Sequence, residues 1–137
     1  MDVSKTIERE DGGVSTAPVR VAVVDDHEAV RLGLKAAFLD EGHDFVLAAA
    51  TVAELVEGLA GREVDVVVLD LSLGDGSLVT ENVKAAQGLG AAVLVHSIAD
   101  RVTLVREALA AGAAGVIPKA SSMRTVITAA ATVARGE

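Results

Sequence analysis

The chain contains no cysteine, tryptophan or tyrosine, and only two phenylalanines among its 137 residues. The absence of cysteine excludes disulfides and thiol chemistry, and it is typical of a cytosolic protein. With so few aromatic rings, the core must consist of valine, leucine, isoleucine and alanine. Because hydrophobic residues make up 51% of the chain, they suffice for the core of one domain of ordinary size.

Basic residues and long apolar runs are also scarce. Lysine and arginine number 12 against 20 aspartates and glutamates, which gives a net charge of -8. Such a chain is poorly suited to bind a nucleic-acid backbone, which requires clustered lysine and arginine. No apolar run approaches the roughly 20 residues of a membrane span, and the N-terminal "MDVSKTIEREDGG" lacks the apolar stretch of a secretory signal. We therefore expect a cytoplasmic protein with no membrane contact.

Short valine-rich runs alternate with amphipathic segments along most of the chain. Residues 1–18 show no period and are expected to form a flexible tail before one domain at 19–137. The predicted strands are Val19–Val24, a run from Phe45, Val64–Asp70, Ala91–Ser97 and Gly115–Lys119. The predicted helices are Glu28–Asp40, a segment capped by Thr51 and Glu54, Leu78–Gln87, a segment capped by Asp100, and Ser122–Arg135. This alternation predicts an α/β fold with a doubly wound, five-stranded parallel sheet and five helices.

Polar side chains follow four of the predicted strands. Asp25 and Asp26 end the first strand, Asp70 the third, Ser97 the fourth and Lys119 the fifth. Each alone is explained by a turn, a helix cap or a solvated charge. Because ligands bind beyond the carboxyl ends of parallel strands, we expect all five side chains at one edge of the sheet.

Three neighbouring carboxylates repel one another unless a cation lies between them. Mg²⁺ prefers oxygen ligands and often also accepts a phosphate oxygen. A lysine suits a phosphoryl group, and an aspartate can become an aspartyl phosphate. The set therefore predicts a Mg²⁺-dependent phospho-acceptor site.

The three histidines do not have the spacing of a zinc site. His27 follows the acidic pair and is interpreted as a helix-start residue facing solvent, although it could modulate the site. His96 should point to the opposite side of its strand from Ser97, into the core or an interface.

Four segments together resemble the receiver domain of two-component response regulators. They are "VVDDHEAVRLGL", "VVVLDLSLGDG", "VLVHS" and "GVIPKA", and the first is closest to the NarL/FixJ-type subfamily, whose output is of the LuxR type. The resemblance implies a flavodoxin-like, CheY-like fold in which Asp70 is phosphorylated. It also implies Mg²⁺ ligation by Asp26 directly, by Asp25 through water, and by Asp70 and the backbone carbonyl of Ser72. Ser97 and Lys119 would contact the phosphoryl group.

The resemblance also implies partners. A sensor histidine kinase would donate the phosphoryl group, and the phosphorylated chain would form a homodimer. The last two helices and the fifth strand are a candidate dimer face, although core packing explains most of its apolar and small residues equally well (Val102, Ala110, Ala113, Val126, Ala129). DNA would be bound only through a C-terminal domain that is not in this chain. The expected function is thus signalling and not enzymatic turnover.

Two features depart from the family pattern. The loop "LSLGDGS" after Asp70 lacks the usual proline and looks shortened, and Val116 stands where a switching aromatic residue is common. One alternative is therefore a degenerate receiver that only binds a partner. A second alternative, an aspartyl-phosphate phosphohydrolase, requires an aspartate two residues after a nucleophile on the first strand, where this chain has His27 or Glu28.

Overall fold

The computed structural model of the chain describes residues 17–98 and 100–136. The predicted tail lies outside these ranges except for Ala17 and Pro18. Five strands alternate with five helices: β1 (Arg20–Val24), α1 (Glu28–Asp40), β2 (Asp44–Ala49), α2 (Val52–Leu59), β3 (Val66–Leu69), α3 (Val79–Gln87), β4 (Ala92–Ser97), α4 (Val102–Ala111), β5 (Gly115–Pro118) and α5 (Met123–Ala134). The predicted order and type of every element are confirmed.

All five strands are parallel, in the spatial order β2-β1-β3-β4-β5. The chain order reverses at β1, which lies between β2 and β3, so the sheet is doubly wound. Val24 is in register with Leu69, and Ser97 is in register with Pro118. This register places the residues that follow β1 and β3 side by side at the carboxyl edge of the sheet.

Each face of the sheet is covered by helices. Alternate residues of β1 illustrate the two layers: Val21 and Val23 pack in the cluster that includes α1 and α5, while Ala22 and Val24 pack in the cluster that includes α2, α3 and α4. Phe38 of α1 is fully buried in the first layer. A buried side chain of this kind contributes roughly 1.5 to 3 kcal/mol to stability. Most of the other buried residues in the two layers are aliphatic, so the sheet is stabilised mainly without aromatic residues.

Helix starts and turns differ from the sequence predictions in detail. Thr51 caps α2 as predicted, because its Oγ1 accepts from the Glu54 backbone N–H at 3.1 Å. The Glu54 carboxylate, however, accepts from the N–H of Ala50, not of Thr51. The prediction that Asp100 caps α4 was wrong: Arg101 occupies the N-cap position without a side-chain cap, and the Asp100 carboxylate lies 3.9 Å from Arg101 Nε.

Two further observations concern surfaces. Val126, placed in the candidate dimer face from sequence, is fully buried in the core layer beneath α5, because it lies on the helix face that packs on the sheet. Across the described ranges, none of the helices combines the length and the apolar composition that crossing a membrane requires.

Candidate functional site

Asp25 and Asp70 lie next to each other at the carboxyl edge because they follow paired strands. The Asp70 N–H donates to the carbonyl of Val24 at 2.9 Å, and the Asp25 N–H donates to the carbonyl of Ala49 at 3.0 Å. Their exposed fractions are only 4% and 2%. Two carboxylates are thus held by backbone hydrogen bonds in a place that solvent barely reaches.

Lys119 supplies the positive charge between these carboxylates. Its backbone N–H donates to the carbonyl of Ser97 at 2.9 Å, which fixes the chain after β5 beside β4. Its Nζ lies 2.9 Å from Asp25 Oδ2 and 3.3 Å from Asp70 Oδ2. One ammonium therefore faces two buried carboxylates, and the local charge remains negative.

The third carboxylate, Asp26, is more exposed and is joined to Asp25 by His27. The His27 Nδ1 lies 3.0 Å from Asp25 Oδ1 and 3.0 Å from Asp26 Oδ1, and its backbone N–H donates to Asp25 Oδ1 at 2.9 Å. Arg31, one turn into α1, donates from Nη1 to the Asp25 carbonyl at 2.8 Å. Sequence reasoning missed both contacts, because it treated His27 as a solvent-facing residue and did not consider Arg31.

The environment changes the protonation of the buried groups. Burial raises the pKa of Asp25, but hydrogen bonds from the His27 backbone, from Lys119 and from the His27 ring outweigh it and hold that pKa below its usual range. Burial also dominates at Asp70, where the Ser72 N–H and Lys119 oppose it only in part and the Asp25 charge adds to it, so the pKa of Asp70 is raised. Burial lowers the pKa of Lys119, but its bond to Asp25 and the Asp70 charge raise it overall.

The donor set fits a divalent cation. Asp25, Asp26, His27 and Asp70 each offer a ligand atom, and these atoms lie within 4.8 Å of one another. Asp25 Oδ2 and Asp70 Oδ2 are buried, and they share one ammonium, that of Lys119, at 2.9 and 3.3 Å. Two buried carboxylates that share one positive charge still repel each other, and a hard cation that binds oxygen would relieve this repulsion.

The loop after Asp70 closes the acidic cluster on one side. The Ser72 N–H donates to Asp70 Oδ1 at 3.2 Å. Gly74 has φ +75, and a Cβ at this position would come 3.3 Å from Asp26 Oδ2. Glycine is thus suited to this position both by its left-handed backbone and by the close approach of the carboxylate. That the backbone carbonyl of Ser72 binds the cation stays a prediction.

Ser97 takes the predicted position at the carboxyl end of β4 and is 4% exposed. Its Oγ donates to the Ile98 carbonyl at 3.3 Å, and among the described residues this hydroxyl contacts neither the Asp70 carboxylate nor the Lys119 ammonium through a hydrogen bond. Along β4, Ser97 shares the side of Val95, toward the α4 layer, whereas His96 shares the side of Leu94. His96 is buried, as expected of a core residue.

Two openings adjoin this edge. A cavity of about 420 Å³ is lined by His27, Val30, Asp70, Ser72, Ile98, Arg101 and Lys119, so Asp70 and Lys119 can be reached from outside. A second, largely apolar groove of about 420 Å³ is lined by Ser97, Ile98, Val102, Val105, Arg106, Val116 and Pro118. Val116 lies on β5 on the same side of the sheet as Ser97. By the resemblance described above, it stands at the position where a switching aromatic residue is common.

Comparisons with known proteins identify the family of the chain. The chain is 35% identical over 119 residues to the transcriptional regulatory protein UhpA of Salmonella typhimurium. The aligned residues cover 86% of the chain and 60% of UhpA. It is 32% identical over 122 residues to the nitrate/nitrite response regulator protein NarP of Escherichia coli, covering 87% of the chain and 56% of NarP. The chain therefore spans somewhat more than half the length of these relatives.

Solved structures show the same fold. The signal receiver domain of NarL from Mycobacterium tuberculosis superposes with a TM-score of 0.76 at 30% identity, covering 88% of this chain and 98% of that domain. The REC domain of RcsB from Salmonella enterica, solved with the phosphomimetic BeF3-, has a TM-score of 0.73 at 19% identity, covering 88% and 91%. The family model of the response regulator receiver domain matches residues 21–131. Together with the acidic edge and its lysine, this match shows that the chain belongs to the response regulator receiver domain family.

Proposed function

We propose that Asp70 accepts a phosphoryl group from a phosphohistidine of a sensor histidine kinase, in a reaction that requires Mg²⁺. The observation that carries the proposal is the position of Asp70: it is a buried carboxylate, 3.3 Å from the Lys119 ammonium, in a cavity that opens to solvent. An acceptor needs both features, since the carboxylate must be shielded from water and still be reachable by the donor.

Asp25, Asp26, Asp70 and the backbone carbonyl of Ser72 are the proposed Mg²⁺ ligands. The convergence of three carboxylates supports this set, as does the excess of negative charge that the single Lys119 ammonium leaves between Asp25 and Asp70. When bound, Mg²⁺ supplies positive charge that neutralises phosphoryl oxygens during transfer.

In the transfer, an ionised oxygen of Asp70 attacks phosphorus in line with the leaving imidazole. A P–O bond forms while the P–N bond breaks, and the electron pair of the broken bond leaves with the imidazole, which takes a proton. Lys119 favours the ionised form of Asp70 and would then attract the added phosphoryl charge. The Ser97 hydroxyl has only a long bond to Ile98 to give up, at 3.3 Å, so turning it toward a phosphoryl oxygen would cost little.

The proposed output is a shift between two conformations that changes self-association. Ser97 lines the apolar groove with Val102 and Val116, so a rotation of its hydroxyl would alter one wall of that groove. Exposed apolar side chains lie at or near it, with Ile98 at 44%, Val102 at 55% and Leu109 at 47% exposure. We propose the face formed by α4 and β5 as the surface of a homodimer that forms on phosphorylation, without the buried Val126.

The context of the whole protein is also a proposal. Residues 19–137 would act as the receiver in the cytoplasm, and the intact protein would regulate transcription by binding DNA through a further domain. UhpA is a transcriptional regulatory protein and NarP a response regulator protein, and this chain covers only 60% and 56% of their lengths, which supports this proposal.

The experiment is a labelling assay with Mg²⁺ and a small phosphodonor, followed by intact mass and peptide mapping. We expect one base-labile phosphoryl group per chain on Asp70, and none in Asp70→Asn. Asp75→Asn is the matched control, because it makes the same change at an exposed aspartate of the same loop, and it should label normally. Failure of the wild type to label would favour the degenerate receiver, and repeated hydrolysis of a phosphate ester would favour the phosphohydrolase; either result contradicts the proposal.

A further inference from the structure

A second cationic side chain, that of Arg101, lines the cavity through which Asp70 is reached from outside. The walls of this cavity of about 420 Å³ include Asp70, Lys119 and Arg101. Asp70 follows β3, and Arg101 directly precedes α4, which comes after the neighbouring strand β4. The fold therefore brings the guanidinium of Arg101 to the opening from which a donor would approach Asp70.

The local structure does not favour an arginine at this position. Arg101 occupies the N-cap of α4, where a side chain normally accepts a hydrogen bond from the first turn, and it forms no such cap. A guanidinium has no acceptor atom with which to form one. The N-terminus of a helix also carries partial positive charge, and the first turn of α4 contains no acidic residue to offset an added cation. The presence of arginine here is therefore not explained by the helix that it begins.

The Arg101 guanidinium is not committed to a carboxylate. Among the described residues, its ion pair is with Asp100 at 3.9 Å from Nε, and the Asp100 side chain is 79% exposed. Such an exposed and distant pair contributes little. Lys119, in contrast, is shared between Asp25 and Asp70 at 2.9 and 3.3 Å. Of the two side chains, Arg101 is thus the one whose donors can bind an incoming anion.

We infer that Arg101 binds the phosphoryl oxygens of the donor as it enters the cavity, and that it makes the site prefer doubly charged donors. This inference rests on the proposed phosphorylation of Asp70. A guanidinium stays charged and can donate to two phosphoryl oxygens at once. Lys119 acts on the phosphoryl group beside Asp70, whereas Arg101 attracts the donor at the cavity wall before the P–O bond forms. Arg101 is therefore a specificity-determining residue of the transfer.

The test compares two small phosphodonors at neutral pH with Mg²⁺. Acetyl phosphate is mainly a dianion under these conditions, whereas phosphoramidate is mainly a monoanion. Intact mass gives the initial rate of labelling and hence a second-order rate constant for each donor in the wild type, Arg101→Ala and Arg101→Lys. The readout is the ratio of the two constants, because a loss of folding or of Mg²⁺ would lower both. Lys84→Ala is the control, since it removes a positive charge from an exposed residue in the last turn of α3.

We expect Arg101→Ala to lower the constant for acetyl phosphate about tenfold, as for the loss of one charge-assisted hydrogen bond, and the ratio of acetyl phosphate to phosphoramidate at least about threefold. Arg101→Lys should keep part of the preference, because it retains the charge without the planar fork. Lys84→Ala should match the wild type. An unchanged ratio in Arg101→Ala, or an equal fall in Lys84→Ala, would overturn the inference and leave the phosphorylation of Asp70 intact. If neither donor labels the wild type, the proposed phosphorylation fails together with the inference.

Discussion

Replacing Asp70 with asparagine should stabilise the metal-free protein, although it removes the proposed acceptor. The Lys119 ammonium lies 3.3 Å from Asp70 Oδ2, an attraction of about 5 kcal/mol at an effective dielectric constant of about 20. A neighbouring carboxylate with its ligand oxygen within 4.8 Å repels Asp70 by at least about 3.5 kcal/mol. The net attraction that remains, at most about 1.5 kcal/mol, is smaller than the several kcal/mol that it costs to bury a carboxylate.

Asparagine keeps the shape of the side chain and removes this charge. We expect the free energy of unfolding in EDTA to rise by about 1 to 3 kcal/mol, and the melting temperature by about 3 to 10 °C. Because burial raises the pKa of Asp70 in the folded protein, its ionisation destabilises the fold. That loss is absent below the unfolded pKa of about 3.9, grows as the pH rises, and is complete above the folded pKa. The difference between the variant and the wild type should therefore vanish in acid.

Urea titrations in EDTA and in Mg²⁺ measure this effect. Mg²⁺ should stabilise the wild type more than Asp70→Asn, because the variant has lost one of three carboxylates. Asp44→Asn, at an exposed aspartate that begins β2, should change stability by no more than about 0.5 kcal/mol. If Asp70→Asn is less stable than the wild type in EDTA, the ion pair with Lys119 outweighs repulsion and burial, and the reasoning is refuted.

Three further changes test other parts of the structure. Lys119→Met should lower the free energy of unfolding in EDTA by about 2 to 4 kcal/mol, because two buried carboxylates lose their cation. Urea titration should also show that Mg²⁺ restores part of this free energy. An unchanged free energy of unfolding in EDTA would contradict the role of the ammonium. Side-chain hydrogen bonds from Arg20 hold the pKa of Asp65 below its usual range, so this pair stabilises the fold above the unfolded pKa of about 3.9 and loses that effect as the pH falls through the folded pKa. Asp65→Asn should then cost about 1 kcal/mol at neutral pH, and urea titrations in which the two proteins differ equally at every pH would count against it. Gly112→Ala should cost about 1 to 2 kcal/mol, from φ +112 and from displacement of the Gln87 amide, which donates to the Gly112 carbonyl at 2.8 Å. Gly42→Ala, with φ +83 in open space, should cost about 1 kcal/mol; a smaller loss for Gly112→Ala than for Gly42→Ala in thermal unfolding would contradict a role for the Gln87 contact.

The sheet and the acidic edge were predictable because they depend on patterns with few alternatives. Valine-rich runs that are apolar on both sides fit only a sheet covered on both faces. Once the strands are parallel, residues that follow them must meet at one edge, and Asp25, Asp70 and Lys119 do so. These inferences depend on the order of elements along the chain and not on side-chain conformation.

The details that sequence reasoning missed depend on rotamers and on single hydrogen bonds. An exposed histidine after two aspartates can extend into solvent or fold back, and His27 folds back because two carboxylates lie within reach of Nδ1. The Ser97 hydroxyl bonds to the Ile98 carbonyl at 3.3 Å, and the sequence pattern does not specify the rotamer that selects this partner. Likewise, an apolar helix residue such as Val126 can face the core or a partner, and only the packed structure decides.

A crystal structure with Mn²⁺ and beryllofluoride would test the central claim most directly, since anomalous scattering locates the cation. The account predicts one strong anomalous peak among Asp25, Asp26 and Asp70, a beryllofluoride group on Asp70, and contacts from Lys119 Nζ and Ser97 Oγ to its fluorines. A peak elsewhere, or beryllofluoride absent from Asp70 at saturating concentration, would contradict the account.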